Sequence, residues 1–147
     1  MTIEIGDKNK IEYTKPLRID EQILNIDKVI CRHINSLGTL QRGVVSQDIL
    51  SQLRNFVEHI MLKFYANGKD IDNSYDNICE AINFVKSRGN LKTLKKFHDY
   101  LQIAASHYTL DEENSERLML KYYEYLLKIK NLLNETFSFN VLSNLNE

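Results

Sequence analysis

Chain breakers are scarce in this sequence. Its 147 residues include one proline, Pro16, and five glycines, and so few interruptions favour long helices. Cysteine is also rare. Cys31 and Cys79 stand far apart, outside any CxxC or Cys/His grouping, and are expected to be two buried thiols in a reducing cytoplasm. An excess of one charge is missing: 19 Lys and Arg face 20 Asp and Glu, a formal net charge of -1. That argues against a protein that coats nucleic acid by bulk charge and leaves room for a local basic patch. No apolar run approaches a membrane span, and the opening "MTIEIGDKNK" lacks the apolar centre of a signal peptide. A soluble cytoplasmic protein is therefore expected, without a membrane partner. Phosphate-binding glycine loops and serine or cysteine nucleophile motifs are absent. No histidine pair has zinc-ligand spacing with a third ligand nearby, so neither a metal nor a cofactor is expected.

What is present is ordinary for a globular chain: 43% hydrophobic, 27% charged, and long enough for one domain with a core. Ile3, Ile5, Ile11 and Tyr13 alternate with polar residues around "GDKN", which predicts a short β-hairpin or extended arm over residues 1–19. The period then becomes helical. Five helices are predicted, over about 20–36, 47–66, 74–87, 91–107 and 112–135. Ser46 is the expected cap of the second, and "NGKD" stops it. These elements make an all-α fold, an antiparallel bundle of four to five helices with short connections over residues 20–136. Residues 137–147 remain as a tail that packs on the bundle or leads to a further domain.

The second helix carries a stripe of Ile49, Leu50, Leu53, Val57, Ile60 and Phe64, flanked by Phe56 and Met61. Arg54 and His59 lie about 140° apart around the helix, with Glu58, Leu62 and Asn55 between them. This second face is mixed rather than filled with Lys and Glu repeats, which suits either a polar interface or an active site. Two accounts of it stand. Arg54 and Glu58 are spaced as an i,i+4 surface ion pair, and Asn55 and His59 as an i,i+4 hydrogen bond. Alternatively the polar residues act together on a ligand.

"RNFVEH", residues 54–59, resembles the signature of the HEPN superfamily: an arginine, then often Asn, Asp or His, a few variable residues, then histidine. Arg54, Asn55 and His59 fall on the matching positions, on a helix of a small helical bundle as in that family. The resemblance is strict over these six residues and architectural elsewhere. It implies a metal-independent endoribonuclease in which two copies of the motif meet across a homodimer axis. RNA supplies its own nucleophile, the 2′-hydroxyl, so cleavage needs a base, an acid for the 5′-oxygen, and positive charge on the phosphorane. His59 and its symmetry mate would divide the acid and base roles. Arg54 would grip the phosphate, and Asn55 would orient the ring or hold phosphate. Products would be a 2′,3′-cyclic phosphate (or a 3′-phosphate) and a 5′-hydroxyl. Glu58 lies outside the family pattern and either fixes Arg54 or neutralises it. Some members keep the fold and bind RNA or a partner without cutting, so a non-catalytic dimerisation or nucleic-acid-binding module is the alternative. The resemblance also implies a toxin or phage-defence effector, with an antitoxin or a downstream NTPase or helicase domain as further partners.

Elsewhere, Lys86, Arg88, Lys92, Lys95 and Lys96 concentrate around one helix junction and form the candidate contact for an RNA backbone, or else a solvated face. His98, beside Phe97, reads as a packing histidine. His33 and His107 read as cations near helix C-termini, and Tyr122, Tyr123 and Tyr125 as core and interface packing.

Overall fold

Capping side chains set the helix ends. Ser46 accepts from the Ile49 backbone N–H at 3.1 Å and starts the second helix, as the sequence predicts. Ser74 and Asp111 do the same for the third and fifth, through the N–H groups of Asn77 and Asn114. Asn67, at φ 48°, closes the second helix in the left-handed region, and Gly68 continues it at φ 87°.

The computed structural model describes residues 18–39, 44–107 and 109–139. Among these the chain forms five α-helices and no strand: α1 (Ile19–Thr39), α2 (Gln47–Ala66), α3 (Tyr75–Lys86), α4 (Lys92–His107) and α5 (Glu112–Phe137). A short 3-10 turn, Gly89–Leu91, joins α3 to α4. The expected hairpin or arm lies outside the described residues, as do residues 140–147. No described helix is long and apolar enough to cross a membrane.

Helix α2 is the spine. It packs against α1, α3 and α4, and half of its 20 residues are buried. The Lys63–Asp20 ion pair at 2.6 Å joins the end of α2 to the start of α1, so these helices are antiparallel. Glu58 meets His98, and Arg54 meets Gln102, so α4 is antiparallel to α2 as well. Helix α3 departs from the expected order. Asn73, just before it, lies at His59, and Phe84, near its end, packs on Tyr65 with ring centroids 5.6 Å apart. The contacts ascend together, so α3 runs in the same general direction as α2. The connection over residues 67–74 makes the return, which is why "NGKD" does not lead straight into an antiparallel neighbour.

This arrangement corrects one assignment. Leu62 belongs to the core, at 0% exposure, and not to the open polar face. A helical wheel distinguishes angles but not heights. At the height of Leu62 the same side of α2 is covered, whereas lower down, at Asn55, it is exposed.

Aromatic rings weld α5 to the spine. Tyr122 is fully buried and meets Phe56 edge-on at 6.3 Å, and Tyr125 stacks on Phe97 at 4.8 Å. Tyr123, by contrast, is 39% exposed. Past the expected helix boundary, Phe137 packs on Phe64 at 4.9 Å and Phe139 is buried, so the first residues of the tail belong to the bundle. Cys31 and Cys79 are half-buried thiols outside any disulfide. His33 is not in the last turn of α1, which continues to Thr39.

Two measurements check this packing. Leu62→Ala is expected to cost about 2–5 kcal/mol, because the truncation opens a cavity in a closed core. Leu120→Ala, at a position 62% exposed, should cost less than about 0.5 kcal/mol. Urea unfolding followed by circular dichroism compares them, and equal losses would contradict the burial of Leu62. The second concerns His33, whose Nε2 is buried without a hydrogen-bond partner. Burial holds its pKa below the ordinary 6.5, against the opposing pull of Asp48. The unfolded chain therefore takes up this proton first, and stability should fall as pH drops through 6.5 and below. His33→Gln should flatten that part of the profile, and an unchanged slope would contradict it.

Candidate functional site

Arg54, Asn55 and His59 occupy the window where the side of α2 is open. Asn55 is exposed, while Arg54 and His59 are half-buried. Arg54 is tethered on two sides. One terminal nitrogen donates to Gln102 Oε1 on α4 at 3.2 Å and the other to Ser51 Oγ, one turn earlier, at 3.4 Å. Its Nε is buried with no partner.

His59 is held by its own helix. Its Nδ1 lies 2.7 Å from the Asn55 carbonyl oxygen. A carbonyl oxygen only accepts, so Nδ1 carries a proton and donates it. In the neutral ring Nε2 then bears the lone pair, and the Asn73 amide donates to it at 3.4 Å. Asn55 therefore does orient His59, but through its backbone and not its side chain. The segment presenting Asn73 is itself braced. Asp72 accepts from the Ser74 backbone N–H at 3.1 Å and from Asn77 Nδ2 at 2.7 Å. The bonds from Ser74, with Asn77 adding to them, hold the Asp72 carboxyl below its usual range.

Glu58 does not pair with Arg54. Its carboxylate meets His98 Nε2 at 2.9 Å, with side-chain exposures of 22% and 6%. Neither expected role for Glu58, fixing Arg54 or neutralising it, survives. The physical reason is that α4 lies along this side of α2 and places two of its residues, His98 and Gln102, against Glu58 and Arg54. A buried imidazole needs a hydrogen-bond partner more than does a half-buried guanidinium that already donates to Gln102 and Ser51. His98 is a core residue, as its apolar neighbours predict, but a polar one with a defined partner.

The structure thus gathers Arg54, Asn55 and His59 on one open side of α2 without bringing Arg54 and His59 into contact. Gln102 and Ser51 at Arg54, Asn73 at His59 and His98 at Glu58 are not among the partners expected from sequence. Ser51 alone carried a signal, its i,i+3 spacing to Arg54.

The basic candidates lie at the far end of α4. Lys86, Arg88, Lys92 and Lys96 are exposed. Lys95 is tied to Asp99 at 2.8 Å, which reduces its availability to a phosphate. Arg88 lies over the Phe84 ring, 4.5 Å from its centroid. Ten residues of helix separate Lys92 from Gln102, so roughly 15 Å of rise lies between this cluster and Arg54. Among the described residues, no group of three His, Cys, Asp or Glu side chains is placed to hold a metal ion.

Comparison of the chain with protein-family models, with curated proteins and with solved structures yields no match.

The Glu58–His98 bond is testable by a double-mutant cycle. Glu58→Leu alone should cost about 1–3 kcal/mol, since it leaves a buried imidazole unpaired. Combining it with His98→Leu should recover at least half of that loss, because an apolar pair needs no partner. Strict additivity of the two substitutions would mean that the bond contributes nothing.

Proposed function

We propose that this chain is a HEPN-like, metal-independent endoribonuclease that works as a homodimer. The observation that carries the reading is the state of His59. The Asn55 carbonyl fixes the protonated Nδ1, so the basic Nε2 faces away from the helix backbone, where the long 3.4 Å bond from the Asn73 amide would have to yield to a substrate hydroxyl. That tautomer suits a general base for the 2′-hydroxyl of RNA. Arg54, nearby on the same side, supplies a fixed positive charge for the phosphorane. Attack of the 2′-oxygen on phosphorus displaces the 5′-oxygen, which takes a proton from a second imidazole in its protonated form. His98 cannot be that acid, because it is buried against Glu58. The family resemblance gives that role to His59 of a second copy.

A second feature supports association on this face. Tyr75, 82% exposed, lies two residues past Asn73, and Ile103, 48% exposed, follows Gln102. Large exposed apolar side chains thus neighbour in sequence the residues that hold His59 and Arg54, and such side chains are common anchors of protein interfaces. One observation serves the alternative of a helical dimerisation or nucleic-acid-binding module equally well. Both terminal nitrogens of Arg54 already donate within the bundle, which leaves one N–H on each for an RNA oxygen and fixes the direction of its approach.

Incubation of labelled RNA in EDTA decides between the readings. Cleavage is expected to leave a 2′,3′-cyclic phosphate and to fall by about 10²-fold or more in His59→Ala. Arg54→Lys should reduce it less than Arg54→Ala does, because charge remains while the planar fork is lost. A magnesium requirement, or full activity in His59→Ala, would sink the mechanism. A dimer that binds RNA without ever cutting it would establish the alternative.

A further inference from the structure

A cleft of about 430 Å³ opens at the C-terminal end of α2, away from the Arg54–His59 window. Its floor includes the buried side chains of Phe64 and Leu91, and its aromatic wall is Tyr65 and Phe84, whose rings meet at 66°. Lys69 and Arg88 supply the charge at its rim, and the side-chain amides of Asn67 and Asn90 lie beside them. No carboxylate lines it. A smaller cavity of about 190 Å³, which shares Ala66 and Lys69 with it, differs in having Asp20 and Asp70 among Arg18, Lys63 and Lys69. Of these two, the larger cleft alone has aromatic surface, and Arg88 is the cation it does not share. Lys86 and Lys92, both exposed, extend the positive charge just outside it.

These features match one ligand chemistry. A planar base has a π-face for the aromatic wall and for the Arg88 guanidinium that lies over Phe84. The exocyclic groups of a base pair with amides, which both donate and accept. A phosphate needs cations free of competing carboxylates. We propose that this cleft binds one nucleotide unit, with its base on the Phe84–Tyr65 wall and its phosphate at Lys69 and Arg88. Its use for RNA rests on the ribonuclease reading, with the cleft holding a nucleotide distant from the cut. The mononucleotide chemistry stands apart from that reading. From His59 to Tyr65 the helix rises roughly 9 Å, a gap that a short single strand crosses.

The test uses the full chain, 5′-AMP and 5′-UMP as free ligands, and a 2′-O-methyl oligoribonucleotide, which lacks the attacking hydroxyl, as the polymer. Amide chemical shifts in the nuclear magnetic resonance spectrum locate binding, and ribose 5-phosphate and inorganic phosphate serve as competitors lacking a base. Shifts should centre on Lys69, Phe84, Arg88 and Leu91. Nucleotides should bind at least about tenfold more tightly than ribose 5-phosphate, as loss of one stacked base predicts. Arg88→Ala, at an exposed position, should weaken binding about fivefold or more, and Phe84→Leu should do so while retaining the helical circular dichroism of the wild type. Stronger binding of the oligomer than of either mononucleotide assigns the cleft to a strand, and equal binding assigns it to free nucleotides. Inorganic phosphate binding as well as 5′-AMP, or shifts confined to other residues, would overturn the proposal. Nucleotide binding here in a chain that never cuts RNA would retain the cleft and remove the ribonuclease reading. RNA cleavage that needs His59, with nucleotide binding and KM unchanged in Arg88→Ala and Phe84→Leu, would do the reverse.

Discussion

The enclosure of α2 governs the rest of the molecule. A helix packed against three others cannot leave its polar groups to water along most of its length. Each must find a partner inside the protein or reach the one window where neighbours leave room. Glu58 and His98 satisfy each other, Arg54 is held by Gln102 and Ser51, and His59 turns back to its own helix and to Asn73. The apolar residues of α2 supply the stabilisation that offsets ordering these side chains. Whatever chemistry this helix performs is thus performed by groups whose orientations are fixed by packing, which favours pre-organisation over rearrangement.

Much of the fold was legible because it depends on local signals. The cap Ser46, the stop at "NGKD" and the apolar spacing of α5 act within a few residues, and the helices begin and end close to where those signals fall. The direction of α3 was not legible, because it follows from how residues 67–74 return along α2, which no local period encodes. Leu62 illustrates the same limit at one position, since a wheel projects a helix onto a circle and loses height. For the site, the helix and the grouping of Arg54, Asn55 and His59 could be read from spacing alone. Their partners could not. Glu58 finds His98, forty positions away in sequence, and a pairing of that separation is set by how α4 crosses α2.

The molecule separates two kinds of surface. One, midway along α2, offers a half-buried imidazole and guanidinium. The other offers exposed cations and aromatic rings beside an acid-free cleft. A near-neutral chain concentrates positive potential by clearing carboxylates from one region rather than by adding lysines everywhere. The two surfaces are built from different residues, so either can change without the other.

Lys63 gathers more than an ion pair. Its ammonium reaches Asp20 at the start of α1 and lies 4.6 Å and 4.8 Å from the ring centroids of Phe137 and Phe139 at the end of α5. The first and last described elements are therefore fastened to one point, at the pole of the bundle away from Arg54. Among the described residues, tension applied between Ile19 and Phe139 would therefore load the Lys63 cluster before it reached the open window on α2, much as a strain relief on a cable takes the pull before the contacts do.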